Sequence, residues 1–190
     1  MLRTIFFVVL LVFVRVSLSY AAPADIPKTG QATVSATGDD GDLKKGVAWP
    51  SPRFTVGAGA ESDCVTDNLT GLMWVKTPDS TPRTWQAALD HADALSLCGH
   101  TDWRLPNINE LESLVHAEYT KETCSGSPCT TNAAWLNTQG FTNVQASFYW
   151  SSTTYAAYTP YAWFVYMIIG YVNIDDKTGN SYVWPVRSGQ

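Results

Sequence analysis

Short stretches rich in apolar, aromatic and β-branched residues run through this chain between turn-forming residues, and each predicts a β-strand. Residues 65–75 form two such stretches around Asp67–Asn68, which predicts two strands joined by a tight turn. Residues 54–56 predict a further short strand. Near the C-terminus, strands are predicted at 148–152, 162–167, 171–174 and 182–187, with a turn at 168–170. The C-terminal part is therefore expected to be an antiparallel β-meander.

A different spacing predicts the first of two short helices. Apolar residues recur at helical intervals after Thr84, which can serve as the N-cap, and the pattern ends at Cys98–Gly99. These apolar positions are Trp85, Ala88, Leu89, Ala92 and Leu95. Two short helices combined with a strand meander predict a single α+β domain.

The second helix follows a joint at residues 101–111. Pro106 favours an extended conformation at Leu105, and Asn107 with Glu110 has the spacing of a capping box. An extended lead-in directs Trp103 and Leu105 away from Arg104. We therefore expect the two apolar side chains to be buried, and the arginine to pair with an acid such as Asp102 or Glu110.

The first 21 residues have the pattern of a secretory signal peptide. A positive residue precedes the apolar run from Ile5 to Val14, and small residues near Ala21 suit a signal peptidase. This run is shorter than the roughly 20 residues that span a bilayer. We predict a signal peptide at 1–21, an extended arm at 22–45 and the folded domain at 46–190, with a retained N-terminal anchor as the alternative. The protein is then exported, either periplasmic or secreted to the cell surface, with no membrane span after cleavage.

Signal cleavage makes an acidic chain more acidic. The whole chain has a net charge of −5, and loss of residues 1–21 leaves ten basic and seventeen acidic residues, a net charge of −7. This charge argues against binding to nucleic acid or to anionic lipid.

The four cysteines are predicted to form disulfides, because an exported protein folds in an oxidising compartment. Cys124 and Cys129 flank a turn-rich loop and are expected to pair, which leaves Cys64 with Cys98. A zinc site is the competing interpretation, but it would favour a Cys-x-x-Cys spacing or nearby histidines, and neither is present.

Four motifs occur in order along the chain and resemble one bacterial family. They are Thr70-Gly71-Leu72-Met73-Trp74, Asp102-Trp103-Arg104-Leu105-Pro106-Asn107 with Glu110-Leu111, Tyr149-Trp150-Ser151-Ser152-Thr153, and Trp184-Pro185-Val186-Arg187. Together they resemble the domain at the C-terminus of the Legionella collagen-like adhesin, over roughly residues 29–190. The motif residues Trp74, Trp103, Arg104, Leu105, Pro106, Trp150 and Arg187 are interpreted as structural.

The resemblance implies a fold related to C-type lectins and to the formylglycine-generating enzyme. It also implies a role in attachment, since the adhesin of this family binds sulphated glycosaminoglycans. The present chain lacks a collagen-like repeat, and its basic residues are scattered, whereas sulphate recognition requires clustered Lys and Arg. Binding of a sulphated glycan is therefore not expected here.

No catalytic motif occurs in the chain, and we predict that it is not an enzyme and needs no cofactor. A nucleophile elbow, a His-Glu-x-x-His pair and a phosphate loop are all missing, and His91, His100 and His116 stand apart in the sequence. A calcium site of the C-type lectin kind is a weaker hypothesis, also suggested by the resemblance. Its ligands would be Asn107, Glu110, Asp175 and Asp176.

The remaining candidate chemistry is ligand binding. Aromatic rings stack on the apolar faces of sugars, while amide and carboxylate groups bind their hydroxyls. The predicted ligand-binding residues are Tyr155, Tyr158, Tyr161, Trp163, Tyr171, Asn173 and Asp175. The expected function is non-catalytic recognition of a glycan or another envelope polymer. The alternative is a module that binds a protein partner or forms a homo-oligomer.

Overall fold

The computed structural model describes residues 26–120 and 131–188, which form an α+β domain. Its α-helices are α1 (Asp40–Leu43), α2 (Trp85–Asp93), α3 (Ile108–Glu112) and α4 (Asn132–Thr138), with 3-10 helices at Gly59–Glu61 and Ala117–Tyr119. Its strands are β1 (Phe54–Val56), β2 (Cys64–Asp67), β3 (Leu72–Val75), β4 (Asp79–Arg83), β5 (Phe148–Thr154), β6 (Tyr161–Tyr166), β7 (Tyr171–Asp176), β8 (Ser181–Val183) and β9 (Val186–Ser188). None of the helices described is long and apolar enough to cross a membrane.

The strands form two sheets. One is antiparallel with the order β1-β2-β3-β9, and the other has the order β4-β8-β5-β6-β7. The predicted meander is present only as β5-β6-β7, because β8 pairs with β5 in parallel instead of following β7. The single strand predicted at 182–187 is two strands in different sheets. Pro185 lies between them and has no N–H to donate to a ladder.

Two apolar clusters hold the domain together. The larger joins the four-stranded sheet to one face of β5 and β6, and it includes Trp74, Trp103 and Trp184. The smaller packs α2 against the opposite face of β5 and β6 through Ala88, Ala92, Leu105, Trp150 and Phe164. The four tryptophans of the family motifs are 0–1% exposed, so they lie in the core.

The joint between residues 101 and 111 has the predicted local structure. Asn107 accepts a hydrogen bond from Glu110 N at 2.9 Å, and Glu110 accepts one from Asn107 N at 2.9 Å, which completes the capping box. Arg104 binds both carboxylate oxygens of Glu110 at 2.7 Å. Its backbone exchanges two 2.9 Å hydrogen bonds with Val186, which ties the joint to the last strand.

Two helices were not predicted, and α2 is shorter than its pattern indicated. Helix α4 begins at Asn132 and is capped by Thr131, whose hydroxyl accepts from Ala134 N at 3.1 Å. Its seven residues are too few to establish a helical period in the sequence. Helix α1 is a single turn capped by Asp39. Helix α2 ends with Ala94 as its C-cap, and Thr84 occupies the N-cap position without a side-chain hydrogen bond.

The predicted Cys64–Cys98 disulfide is confirmed. It joins β2 to the turn after α2 across a sequence separation of 34 residues. On a chain-entropy estimate, closing such a loop stabilises the fold by about 3–4 kcal/mol. The predicted Cys124–Cys129 pair and the signal peptide at 1–21 lie outside the described residues.

The described part of the predicted arm lies along the domain. Pro27 forms an isolated bridge with Val47. The Glu118 carboxylate accepts hydrogen bonds from Ala32 N at 2.8 Å and Thr33 N at 2.9 Å. Residues 26–48 are therefore held against the domain by specific hydrogen bonds.

Candidate functional site

The loop between β5 and β6 presents the most exposed of the predicted ligand-binding residues. Tyr155 N donates to Tyr161 O at 2.9 Å, Tyr158 N donates to Tyr155 O at 3.1 Å, and Tyr161 N donates to Tyr158 O at 3.0 Å. These bonds fix the backbone of the loop. Its tip residue, Tyr158, is 57% exposed.

The aromatic rings of this loop are arranged in two pairs. Tyr155 and Trp163 meet edge to face with centroids 5.6 Å apart, and Tyr158 and Tyr161 lie 5.1 Å apart. The three tyrosine hydroxyls make no hydrogen bond to any residue in the described ranges. We call Tyr155, Tyr158, Tyr161 and Trp163 the loop surface.

The other three predicted ligand residues are not brought to this surface. Tyr161 pairs with Asp176 and Tyr166 pairs with Tyr171, so the β6–β7 turn comprises four residues, 167–170, instead of the three predicted at 168–170. A shift of one residue exchanges the faces of a strand. Tyr171, Asn173 and Asp175 consequently share a face with Phe164, whereas Tyr161 and Trp163 lie on the opposite face.

Asn173 and Asp175 instead bond to their own strand, which is the last of the five-stranded sheet. Asn173 Oδ1 accepts from Ile174 N at 2.9 Å, and Asp175 Oδ1 accepts from Asp176 N at 2.8 Å. These bonds occupy backbone N–H groups of an edge strand and place a carboxylate there. Both features oppose the addition of another strand.

The sequence analysis missed an aromatic patch on the same face as Tyr171. Phe148 contacts Phe164 and Tyr166 with centroid distances of 4.9 and 4.5 Å, and Phe164 lies 6.5 Å from Tyr171. Phe148 and Tyr171 are both well exposed. Phe148 opens β5 directly before the family motif, and its exposure could be inferred only from strand alternation with the buried Tyr149.

The residues of the hypothetical calcium site are divided between two elements. Asn107 and Glu110 bond to each other at the start of α3, and Glu110 also accepts hydrogen bonds from Arg104. That helix is bonded to β5 through Ile108 N and Thr153 Oγ1, whereas Asp175 and Asp176 lie on β7, two strand spacings or roughly 10 Å away. Within residues 26–120 and 131–188, no group of three His, Cys, Asp or Glu side chains is placed to hold a metal ion.

Ionisable groups near the joint serve the local structure. Burial alone would raise the pKa of the Glu110 carboxyl, but the hydrogen bonds from Arg104 and Asn107 N outweigh it and hold that pKa below its ordinary value. The hydrogen bond from Arg187 likewise lowers the pKa of Asp102. Both carboxylates therefore remain charged and paired at neutral pH.

A cleft that the sequence did not indicate lies between the arm and the domain. It has a volume of about 350 Å³ and is lined by Trp49, His116, Lys28, Lys44 and Asp40 together with arm backbone. Burial lowers the pKa of His116 to about 4, and the charge of Arg53 acts in the same direction. The imidazole is therefore neutral at pH 7. Its Nδ1 accepts a hydrogen bond from Glu118 N at 3.2 Å.

Comparison with known proteins agrees with the four ordered motifs. The sequence matches the Lcl C-terminal domain family over residues 63–187, a range that contains all four motifs. No curated protein matches the chain. An adhesin-associated domain with a disulfide-bonded fold fits an exported protein. The chain belongs to the Lcl C-terminal domain family.

Proposed function

We propose that this protein is an exported, non-catalytic recognition module that binds a glycan or another envelope polymer through the loop surface. Family membership supports an adhesin-associated role. The observation that carries the ligand class is the hydrogen-bonded loop that holds Tyr155, Tyr158 and Tyr161, whose hydroxyls bond to none of the residues that the structure describes. Such rings offer an apolar stacking surface together with a polar edge.

The rigidity of this loop favours binding. A ligand that settles on a loop already fixed by three backbone hydrogen bonds does not have to order it, and the entropy lost on binding is smaller. The contacts available are few and exposed, so a single sugar would bind weakly. A polymer engaging several copies of the protein would bind more tightly through effective concentration.

A glycan array tests this proposal. The purified protein should bind selected glycans, and a Tyr155→Ala/Tyr158→Ala variant should lose that binding while its thermal unfolding stays close to that of the wild type. Phe148→Ala is the matched control, because it removes an exposed ring from the opposite side of the sheet. Equal binding by the double variant, or a blank array with folded protein, would contradict the proposal.

The array is run with and without calcium to test the weaker metal hypothesis. Calcium-dependent binding that is lost in Asp175→Asn would support a metal site involving that residue. Binding that is unchanged by a chelator would exclude calcium from recognition.

A second candidate function is association with a protein partner, and the exposed Phe148–Tyr171 patch favours it. Exposed aromatic groups on one face are typical of protein interfaces. In that case Phe148→Ala would abolish association, measured by pull-down or by light scattering for self-association. The tyrosine double variant would then leave the association unchanged.

A further inference from the structure

A second cleft, which we call the joint cleft, opens where α2 passes the lead-in to α3. It has a volume of about 330 Å³. Its lining residues are Leu89, Asp90 and Asp93 from α2, Arg104 and Leu105 from the joint, and Ser152 from β5. Two of these residues are apolar and four are polar, so the lining is more polar than that of a typical small-molecule site and suits a ligand rich in hydroxyl groups.

We propose that the joint cleft is a subsite for an uncharged saccharide unit. This inference rests on the proposed glycan recognition and names the ligand class of a further site. Leu105 lines the cleft but is buried, so the half-buried Leu89 supplies most of the apolar surface for the carbon face of a sugar ring. The polar residues around them supply both donors and acceptors for hydroxyl groups.

Arg104 is the donor, and its position is fixed in advance. Its guanidinium has five N–H groups, of which two bond to Glu110 at 2.7 Å and leave three without an acceptor among the described residues. The side chain is 43% exposed. Because Glu110 is itself held by Asn107 N, a ligand would meet an arginine that needs no reorganisation.

Asp90, Asp93 and Ser152 supply the acceptors. Asp90 Oδ1 accepts from Gln86 at 2.8 Å, and neither aspartate forms an ion pair within the described ranges. The Ser152 hydroxyl makes no hydrogen bond to a described residue, although its backbone N–H donates to Pro106 O at 2.7 Å. These groups have free hydrogen-bonding capacity beside the apolar surface of the cleft.

The charge of the cleft selects against acidic sugars. Glu110 neutralises Arg104, while Asp90 and Asp93 form no ion pair with any residue that the structure describes, so the lining carries an excess of negative charge. A carboxylated or sulphated sugar would be repelled, whereas neutral hydroxyls can donate to the carboxylates.

The joint cleft is a site separate from the loop surface. Ser152 precedes Tyr155 by three residues along β5 and its loop, a separation of roughly 10 Å in extended chain. However, Leu89 and Leu105 of the cleft pack on the sheet face of Phe164, whereas Tyr161 and Trp163 lie on the opposite face. The joint cleft would therefore hold a saccharide unit of its own.

Amide chemical-shift titration of ¹⁵N-labelled protein tests this proposal. The probes are methyl glucoside and N-acetylglucosamine as neutral sugars and glucuronate as the acidic one. Neutral sugars should shift the amides of Asp90, Asp93, Arg104 and Ser152 in a saturable manner, and glucuronate should shift them less. Asp93→Asn should weaken neutral-sugar binding about tenfold, the size of one lost hydrogen bond to a charged group.

The same variant should strengthen glucuronate binding several-fold, because it removes a like charge; a merely structural role would not produce this opposite change. Asp63→Asn, at an exposed aspartate in the turn directly before β2, is the matched control and should change neither. Shifts confined to 155–163 would overturn the joint cleft and leave glycan recognition intact. The joint-cleft proposal would also be overturned if no amide at the cleft shifted, or if glucuronate bound there more tightly than the neutral sugars. Failure of the proposed glycan recognition would instead appear as a blank glycan array.

Discussion

Two sets of aromatic side chains in this protein differ in how their polar atoms are used. In the core, the indole N–H groups of Trp103, Trp150 and Trp184 donate to backbone carbonyls at 3.2, 3.0 and 2.8 Å. On the loop surface, the hydroxyls of Tyr155 and Tyr158 make no bond to the described residues. A buried polar group generally has a partner within the fold, and Trp74, whose indole N–H has none among the described residues, is the exception in this core. An exposed polar group keeps its capacity for water or a ligand. The first set therefore stabilises the domain and the second is free for recognition.

The largest expected effect is at the core of the joint. Trp103→Ala should lower the free energy of unfolding by about 3–5 kcal/mol, because it leaves a cavity and removes the bond to Leu97 O. Leu105→Ala should cost about 2–5 kcal/mol. Urea denaturation followed by circular dichroism measures both. Leu43→Ala, at an exposed position, is the control, and full stability of Trp103→Ala would contradict the core assignment.

The Cys64–Cys98 disulfide supports the core set of aromatic residues, because it holds the turn whose Leu97 carbonyl accepts the hydrogen bond from Trp103. Replacing Cys64 and Cys98 together by Ala should cost about 3–4 kcal/mol. Reducing the disulfide of the wild-type protein should lower the free energy of unfolding by a similar amount. Urea titrations of the wild type with and without reductant measure this difference. Binding at the loop surface should survive in the fraction that remains folded, since the loop lies on the other sheet.

The ring of His116 is half-buried, so its exposure lies between that of the core tryptophans and that of the tyrosine at the loop tip. It contacts Trp49 and Trp135 with centroid distances of 4.8 and 4.6 Å. Its pKa of about 4 in the fold lies below the ordinary 6.5, so the unfolded chain binds the proton more readily. The contribution of the neutral His116 ring to the free energy of unfolding is therefore fully present above pH 6.5, and it is lost as the pH decreases from 6.5 to about 4.

Comparing the wild type with His116→Phe isolates this effect. Solvent screens the charge of a half-buried ring and reduces the effect. The free energy of unfolding should therefore fall between pH 6.5 and pH 4 by on the order of 1–2 kcal/mol in the wild type, and by less in the variant. Thermal unfolding at a series of pH values measures it. Burial also lowers the pKa of His91, but His91 is present in both proteins. Parallel pH profiles would refute the assignment.

The smallest stability effect is expected at the loop tip. Tyr158→Ala should change the free energy of unfolding by less than about 0.5 kcal/mol, as is usual for exposed positions, yet it should weaken glycan binding severalfold. Differential scanning fluorimetry and the glycan array measure the two quantities. A large loss of stability would place Tyr158 with the core aromatics.

Local sequence signals were sufficient for the joint and for several strands. The capping box of Asn107 and Glu110 depends only on residues three apart, and the burial of Trp103 and Leu105 follows from alternation around Arg104. Helix α4 could not be predicted in this way. Its seven residues are stabilised partly by contacts with the β6–β7 turn, where Ala133 N donates to Met167 O at 2.8 Å.

The arrangement of the candidate ligand residues could not be predicted from local sequence, because it depends on the length of the β6–β7 turn. Tyr161, Trp163, Tyr171, Asn173 and Asp175 all have odd numbers, so a three-residue turn would place them on one face of the hairpin. The turn has four residues, which pairs odd positions of β6 with even positions of β7 and divides the set. The turn is packed against residues distant in the chain: a Cβ at Gly170 would collide with the side chain of Val115, and the N–H groups of Asn132 and Ala133 in α4 donate to carbonyls of the turn.

The sequence by itself determined the family, the α+β class, the Cys64–Cys98 disulfide and the structure of the joint, because each rests on ordered motifs or on residues close in the chain. Tertiary structure decided which aromatic residues share a face, how β8 crosses to lie parallel to β5, and which polar groups meet in the joint cleft. These properties depend on strand register and on the packing of α2 against the sheet. Both are set by contacts between residues far apart in the chain, which no local pattern records.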